Sequence, residues 1–178
     1  MNPLHAHWKR SATILNLRGP AGDADFRQRV EAALGLPLPT TACTTQACAH
    51  RRIVWVGPDD WFVIAPADDG GTERALRSAL AGQAHALTDV GSGYVVLRLA
   101  GEAVRDILAH GCPLDLHPRA FTPGTSAGSH FFKASIWLWR PDDAPAFELL
   151  IRRSFANYVS LVLKRCCREC GLAESWSA

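Results

Sequence analysis

Apolar positions along this chain recur at two spacings. At intervals of three and four stand Phe26, Val30, Ala33 and Leu34, then Ala75, Leu76, Ala79 and Leu80, then Val104, Ile107 and Leu108, and last Phe155, Tyr158, Val159 and Val162. Each set lines one side of a helix. The flanking residues set the limits. Asp23 or Asp25 can cap the first helix, Thr72 the second and Ser154 the fourth, which runs to Cys166 or beyond. Gly35 and Gly82 end the first two helices, and Gly111 sits at the left-handed stop of the third, predicted over 101–110.

Denser apolar runs at 12–17, 53–56, 61–65, 84–90, 94–100, 127–134, 136–139 and 147–152 predict strands. Gly57-Pro58-Asp59-Asp60 and Pro141-Asp142-Asp143-Ala144-Pro145 are the turns between neighbouring strands. The stretch 36–50, with Pro37, Pro39 and almost no charge, is expected either to pack on a surface or to be mobile. Residues 171–178 are expected to fray as a flexible tail.

The order of elements defines an α+β protein. Two split strand–helix–strand units, about 11–91 and 92–170, are fused across Gly91-Ser92-Gly93, with mainly antiparallel sheets sharing one core in a single domain over 1–178. Those glycines open a strand, so they do not form a phosphate cradle, which opens a helix.

Composition narrows the function classes. With 178 residues the chain can build one sizeable core, and 48% apolar residues is ordinary for a globular protein. A net charge of +2 and two short basic pairs, Arg51-Arg52 and Arg152-Arg153, argue against nucleic acid as a partner. The first ten residues hold no apolar segment of signal-peptide length, and no run is long enough to span a membrane. The expectation is a cytoplasmic protein with no membrane partner, whose six cysteines are thiols.

The chemically distinctive stretch is Gly111-Cys112-Pro113-Leu114-Asp115-Leu116-His117-Pro118. If it is extended, Leu114 and Leu116 face one way and Asp115 and His117 the other. Cys112 with Asp115 and His117 can be read as a nucleophile with base and orienter. The three are too close in sequence to gather around a pocket, however. The other reading is a structural anchor, with Asp115 and His117 bonding nearby backbone or a partner. Cys166, Cys167 and Cys170 offer half of a metal site, but the second pair, Cys43 and Cys48, is loosely spaced, so no metal is assigned. Asp59-Asp60, Asp68-Asp69 and Asp142-Asp143 sit in turns, where aspartate serves the backbone. Trp137 and Trp139 share one face of a strand, and the last helix has an apolar arc wider than one neighbour needs. Both features fit either a two-layer core or a partner interface. The candidate structural and partner-contact residues are therefore Cys112, Pro113, Asp115, His117, Trp137, Trp139, Phe155 and Tyr158. No catalytic or cofactor-binding residue is assigned.

Several segments in order, Trp55-Val56-Gly57-Pro58-Asp59-Asp60-Trp61, 89–99, 111–124 and Arg152-Arg153-Ser154-Phe155-Ala156-Asn157-Tyr158, carry a family likeness. From about Ile53 to Tyr158 the chain resembles the gamma subunit of heterotetrameric sarcosine oxidase. The resemblance implies a fold like the folate-binding domain of aminomethyltransferase. It also implies a non-catalytic assembly role beside alpha, beta and delta subunits. Such a complex oxidises sarcosine to glycine and hydrogen peroxide and passes the one-carbon unit to tetrahydrofolate. Its FAD, FMN, NAD, zinc and tetrahydrofolate are implied to sit in the other subunits, with none in this chain. Gly91, Tyr94 and the run from Cys166 depart from the family pattern, so no residue-level contact is carried over. Two other readings stay open: a stand-alone folate or one-carbon binding module, and a cysteine-dependent enzyme using Cys112.

Overall fold

The computed structural model describes residues 3–9, 12–67 and 69–177. Asp68 of the second aspartate pair and Ala178 of the tail lie outside them. The chain divides into two compact units, one formed by Ser11–Ser92 and the other by Met1–Arg10 with Gly93–Ala178. The division falls between Ser92 and Gly93. The first ten residues, however, belong to the second unit.

In the unit Ser11–Ser92, strands β2 (Ala12–Arg18), β3 (Thr45–Ala47), β4 (Arg52–Gly57), β5 (Asp60–Pro66) and β6 (Ala86–Asp89) form an antiparallel sheet ordered β3-β4-β5-β2-β6. Helices α1 (Ala24–Leu34) and α2 (Gly70–Ala79) bury Phe26, Val30, Leu34 and Leu76 in a cluster with Leu15, Leu17, Ile53, Trp61 and Val63. Asp23 caps α1 by accepting from the Asp25 N–H, and Gly35 closes it at φ 67°. Residue 69, not Thr72, is the N-cap of α2. Thr72 is buried in the first turn, where its hydroxyl donates to Asp69 at 2.7 Å and accepts from Arg51 Nε at 2.7 Å. The stretch 36–50 packs: Leu36 and Leu38 are buried, and the Pro39 carbonyl accepts the Trp61 indole N–H at 2.7 Å.

In the other unit, β1 (Leu4–Lys9), β7 (Tyr94–Ala100), β8 (Ser126–Phe131), β9 (Ala134–Trp139), β10 (Ala146–Arg152) and β11 (Leu172–Ser177) form a sheet ordered β11-β1-β7-β10-β9-β8. Every pairing is antiparallel except that of β1 with β11. Helices α3 (Val104–Ala109) and α4 (Ala156–Cys166) cover one face, enclosing Leu4, Trp8, Leu97, Leu99, Ile136, Leu138, Phe147 and Leu149.

The structure corrects three further expectations. Residues 172–177 are an edge strand, not a frayed tail, because Leu4 to Lys9 present a strand for them to pair with. Gly111 is not a left-handed cap. A Cβ there would come 2.3 Å from the Phe132 ring, so glycine permits that ring to lie against the turn. Ser154 does not cap α4, which is entered through the 3₁₀ turn Arg153–Phe155 without a side-chain cap.

Candidate functional site

The proline turn is held by its backbone. The Cys112 N–H bonds the Leu108 carbonyl at 2.8 Å, and the Leu116 carbonyl accepts from Arg105 Nε at 3.1 Å. Leu116 is buried and Leu114 is half-buried against the same cluster, while Asp115 and His117 point to solvent. Asp115 Oδ1 accepts the His117 N–H at 2.9 Å, and His117 Nδ1 accepts the Arg119 N–H at 3.2 Å. Both polar groups thus fold the turn back on itself. Cys112 is buried, its Sγ 3.7 Å from Ser129 Oγ, so the structure does not bring it to His117. Of the turn's candidates, Pro113, Asp115 and His117 are exposed and Cys112 is not.

The aromatic candidates separate in the same way. Ile136 and Leu138 pack toward α4, which places Trp137 and Trp139 on the opposite face of β9. Trp139 is 1% exposed and its indole N–H donates to Glu148 at 2.7 Å, so it offers a partner no surface. Trp137 is half-buried and lies over Gly128, where a Cβ would come 2.9 Å from the indole. On α4 the buried stripe is Ala156, Val159, Ser160 and Leu163, turned from the one expected. That rotation leaves Phe155 36% exposed, edge-on to Tyr158 with ring centroids 6.0 Å apart, and Leu161 59% exposed.

The six cysteines are free thiols. Cys43 and Cys48 are exposed in one unit, whereas Cys166, Cys167 and Cys170 end α4 in the other. Burial, with Cys170 and Cys166 adjacent, pushes the Cys167 thiol up to about 12. A thiol that resists ionisation is a poor metal ligand and a poor nucleophile. Among the described residues no group of three or more His, Cys, Asp or Glu side chains is placed to hold a metal ion. The turn aspartates are likewise engaged. Asp59 accepts the Ala21 N–H, Asp60 pairs with Arg18 at 2.8 Å, and Asp142 accepts the Ala144 N–H.

Two features escaped the sequence reading. One is the pairing of the chain ends, which brings Glu174 under Trp8. The indole N–H donates to Glu174 at 2.8 Å, and Lys164 pairs with the same carboxylate at 3.1 Å. Burial pushes the Glu174 carboxyl up, but hydrogen bonds from Ser160, Lys164 and Trp8 and the Lys164 charge outweigh it, leaving the group below the usual carboxylate range. The other is a groove of about 460 Å³ where β7 begins and β10 ends, lined by Tyr94, Gly128, Trp137, Leu150, Arg152 and Phe155 among others. The Arg152 guanidinium lies over the Tyr94 ring, 4.5 Å from its centroid. The sequence signal was the pair Arg152-Arg153, which composition alone presents as a short solvated charge.

This architecture places the chain in a class. Aminomethyltransferase T of the glycine cleavage system from Bartonella henselae superimposes with a TM-score of 0.67 at 14% identity, over 98% of this chain and 48% of that one. The shared fold is therefore the aminomethyltransferase folate-binding-domain type. Within that class, residues 18–169 match the family described as sarcosine oxidase, gamma subunit family. The chain belongs to that family. It is 33% identical over 139 residues to the sarcosine oxidase gamma subunit of an Arthrobacter species, covering 78% of this chain and 68% of that protein. It is 32% identical over 150 residues to the gamma subunit of Corynebacterium sp. strain P-1, covering 83% and 71%. A chain of the heterotetrameric sarcosine oxidase from Corynebacterium sp. U-96, in complex with pyrrole 2-carboxylate, superimposes with a TM-score of 0.82 at 27% identity, over 92% of this chain and 83% of that one.

Proposed function

We propose that this chain is a non-catalytic assembly subunit of a heterotetrameric flavoenzyme that oxidises sarcosine to glycine and passes the one-carbon unit to tetrahydrofolate. Its partners in this reading are alpha, beta and delta subunits, which hold FAD, FMN, NAD, zinc and tetrahydrofolate, and the complex is cytoplasmic. The observation that carries the reading is the likeness, across most of both chains, to a chain of a heterotetrameric sarcosine oxidase. The local chemistry agrees with it. The one acid–imidazole turn is spent on backbone hydrogen bonds, and its cysteine faces a serine hydroxyl. Among the described residues, no helix is long and apolar enough to cross a membrane.

The test is co-expression of a tagged chain with the large and small subunits of its own oxidase. The expected result is one complex of four chains with sarcosine-dependent peroxide formation, which the tagged chain alone lacks. A tagged chain that retains none of the other subunits overturns the reading. Tight binding of tetrahydrofolate by the isolated chain would favour the stand-alone module instead.

A further inference from the structure

The groove lined by residues of β7, β8, β9 and β10 has a composition that the fold does not use. Tyr94, Trp137 and Phe155 supply three aromatic rings, and Arg152 is the one ionised side chain in the lining, while Leu150 is buried and offers a partner no surface. Among the described residues no carboxylate lines the groove. Arg18, Arg29, Arg51, Arg77, Arg98 and Arg140 all pair with acids. Among the described residues Arg152 pairs with none; it is exposed, with its guanidinium carbon 4.5 Å from the Tyr94 ring centroid. A guanidinium over a ring face is attracted to it by the ring quadrupole, and its N–H groups remain able to bind a carboxylate, which an arginine fork does through two parallel hydrogen bonds. Arg153, which donates to the Tyr94 carbonyl at 3.2 Å, adds a second positive charge nearby. Trp137 can lie along the groove only because residue 128 has no Cβ.

Resting on the assembly role proposed above, we propose that this groove docks a segment of another subunit of the same oxidase. That segment presents a carboxylate to Arg152 and an apolar or aromatic side chain to Trp137 and Phe155. Charge selects this occupant. A second copy of the chain docking groove to groove would set Arg152 against a surface with no acid, and like charges across an interface repel. Tryptophan, tyrosine and arginine around a desolvated centre are also the residue types that carry most of the binding energy where proteins meet.

The experiment uses the tagged full-length chain co-expressed with its partner subunits. Arg152→Glu and Trp137→Ala are each expected to lower the partner chains retained by about tenfold or more. Arg152→Lys is expected to fall between them and wild type, because an ammonium keeps the charge and loses the fork. Arg74→Glu, an exposed charge in the other unit, is expected to change nothing. Circular dichroism and thermal melting of each purified variant show that the fold is kept. Folded Arg152→Glu and Trp137→Ala proteins that retain partners at wild-type levels overturn the docking groove and leave the assembly role standing. A wild-type chain that retains no partner overturns both. Loss of a homodimer in Arg152→Glu, with partner retention intact, makes a second copy the occupant and also overturns the proposal.

Discussion

Trp8 and Trp176, from opposite ends of the chain, stack with ring centroids 4.8 Å apart and planes 8° from parallel. They are register partners on β1 and β11, the one parallel pair in the sheet. Trp8 is fully buried and Trp176 is 37% exposed, so the outer ring is the lid of the inner one. Trp176→Ala is expected to cost about 1–2 kcal/mol, from the lost stack and the uncovered face of Trp8. Urea unfolding should show a lower midpoint with an unchanged slope. Trp8→Ala, which empties a buried site and leaves Glu174 without its indole donor, should cost about 3–5 kcal/mol.

Glu174 makes the same junction sensitive to acid. Its carboxyl titrates below the usual range in the folded chain, so the folded state holds the ionised form more tightly than the unfolded state does. That contribution is fully present above the ordinary glutamate pKa of about 4.3. It is lost as pH falls through the lower folded value. Glu174→Gln is therefore expected to be less stable than wild type at pH 7, with the gap closing as pH falls below the ordinary glutamate range. Urea midpoints measured across that range check it, and a gap that widens in acid contradicts it.

Local patterning disclosed most of the interior elements, and the chain ends show why it stopped there. Asp23 and Gly35 bound α1 because capping chemistry acts within a few residues. The β4–β5 turn formed where Pro58 and Asp59 announce it, with Asp59 at φ 59°. Leu4, Ala6 and Trp8 do alternate with His5, His7 and Lys9, but a six-residue alternation at a terminus gains meaning only from its partner. That partner, β11, lies at the far end of the chain and runs parallel, and no local signal encodes such a pairing. The rotation of α4 is a tertiary effect as well. Phe155 belongs to the apolar periodicity, yet it falls in the 3₁₀ turn, where the angular step differs and the side chain leaves the helix stripe. The groove was hidden because Tyr94, Gly128, Trp137 and Arg152 come from four strands brought together by register alone.

Gly111 and Phe132 form a steric pair that a double-mutant cycle can read. A Cβ at residue 111 would meet three ring atoms of Phe132 between 2.3 and 2.8 Å, so the ring must move bodily. The Phe132 N–H bonds the Gly111 carbonyl at 2.8 Å, and Phe132 itself sits at φ 50°, which leaves the loop little room to yield. Gly111→Ala is expected to destabilise by about 1–3 kcal/mol, the usual range for overpacking. In a Phe132→Ala background the same change should cost far less. Thermal unfolding of the four proteins gives the coupling, and additive losses would show that the backbone at residue 111, not the ring, sets the requirement.

Cys112 supplies the test that separates a structural turn from a reactive one. Its thiol is buried beside Ser129, while Asp115 and His117 face solvent and are occupied by backbone N–H groups. A nucleophile needs a base within hydrogen-bond reach, and here the neighbour is a hydroxyl. Cys112→Ser in the assembled oxidase is therefore expected to keep sarcosine turnover within about twofold of wild type, with a stability loss of about 1–2 kcal/mol for burying a hydroxyl, more costly to desolvate than the thiol, beside Ser129. His117→Ala should likewise leave turnover intact and loosen the turn, because the Arg119 N–H loses its acceptor. Steady-state rates and the pH profile of the complex decide the matter. An assembled Cys112→Ser complex with wild-type stability and no turnover would make the thiol part of the chemistry, and a His117→Ala complex with the same loss would identify its base.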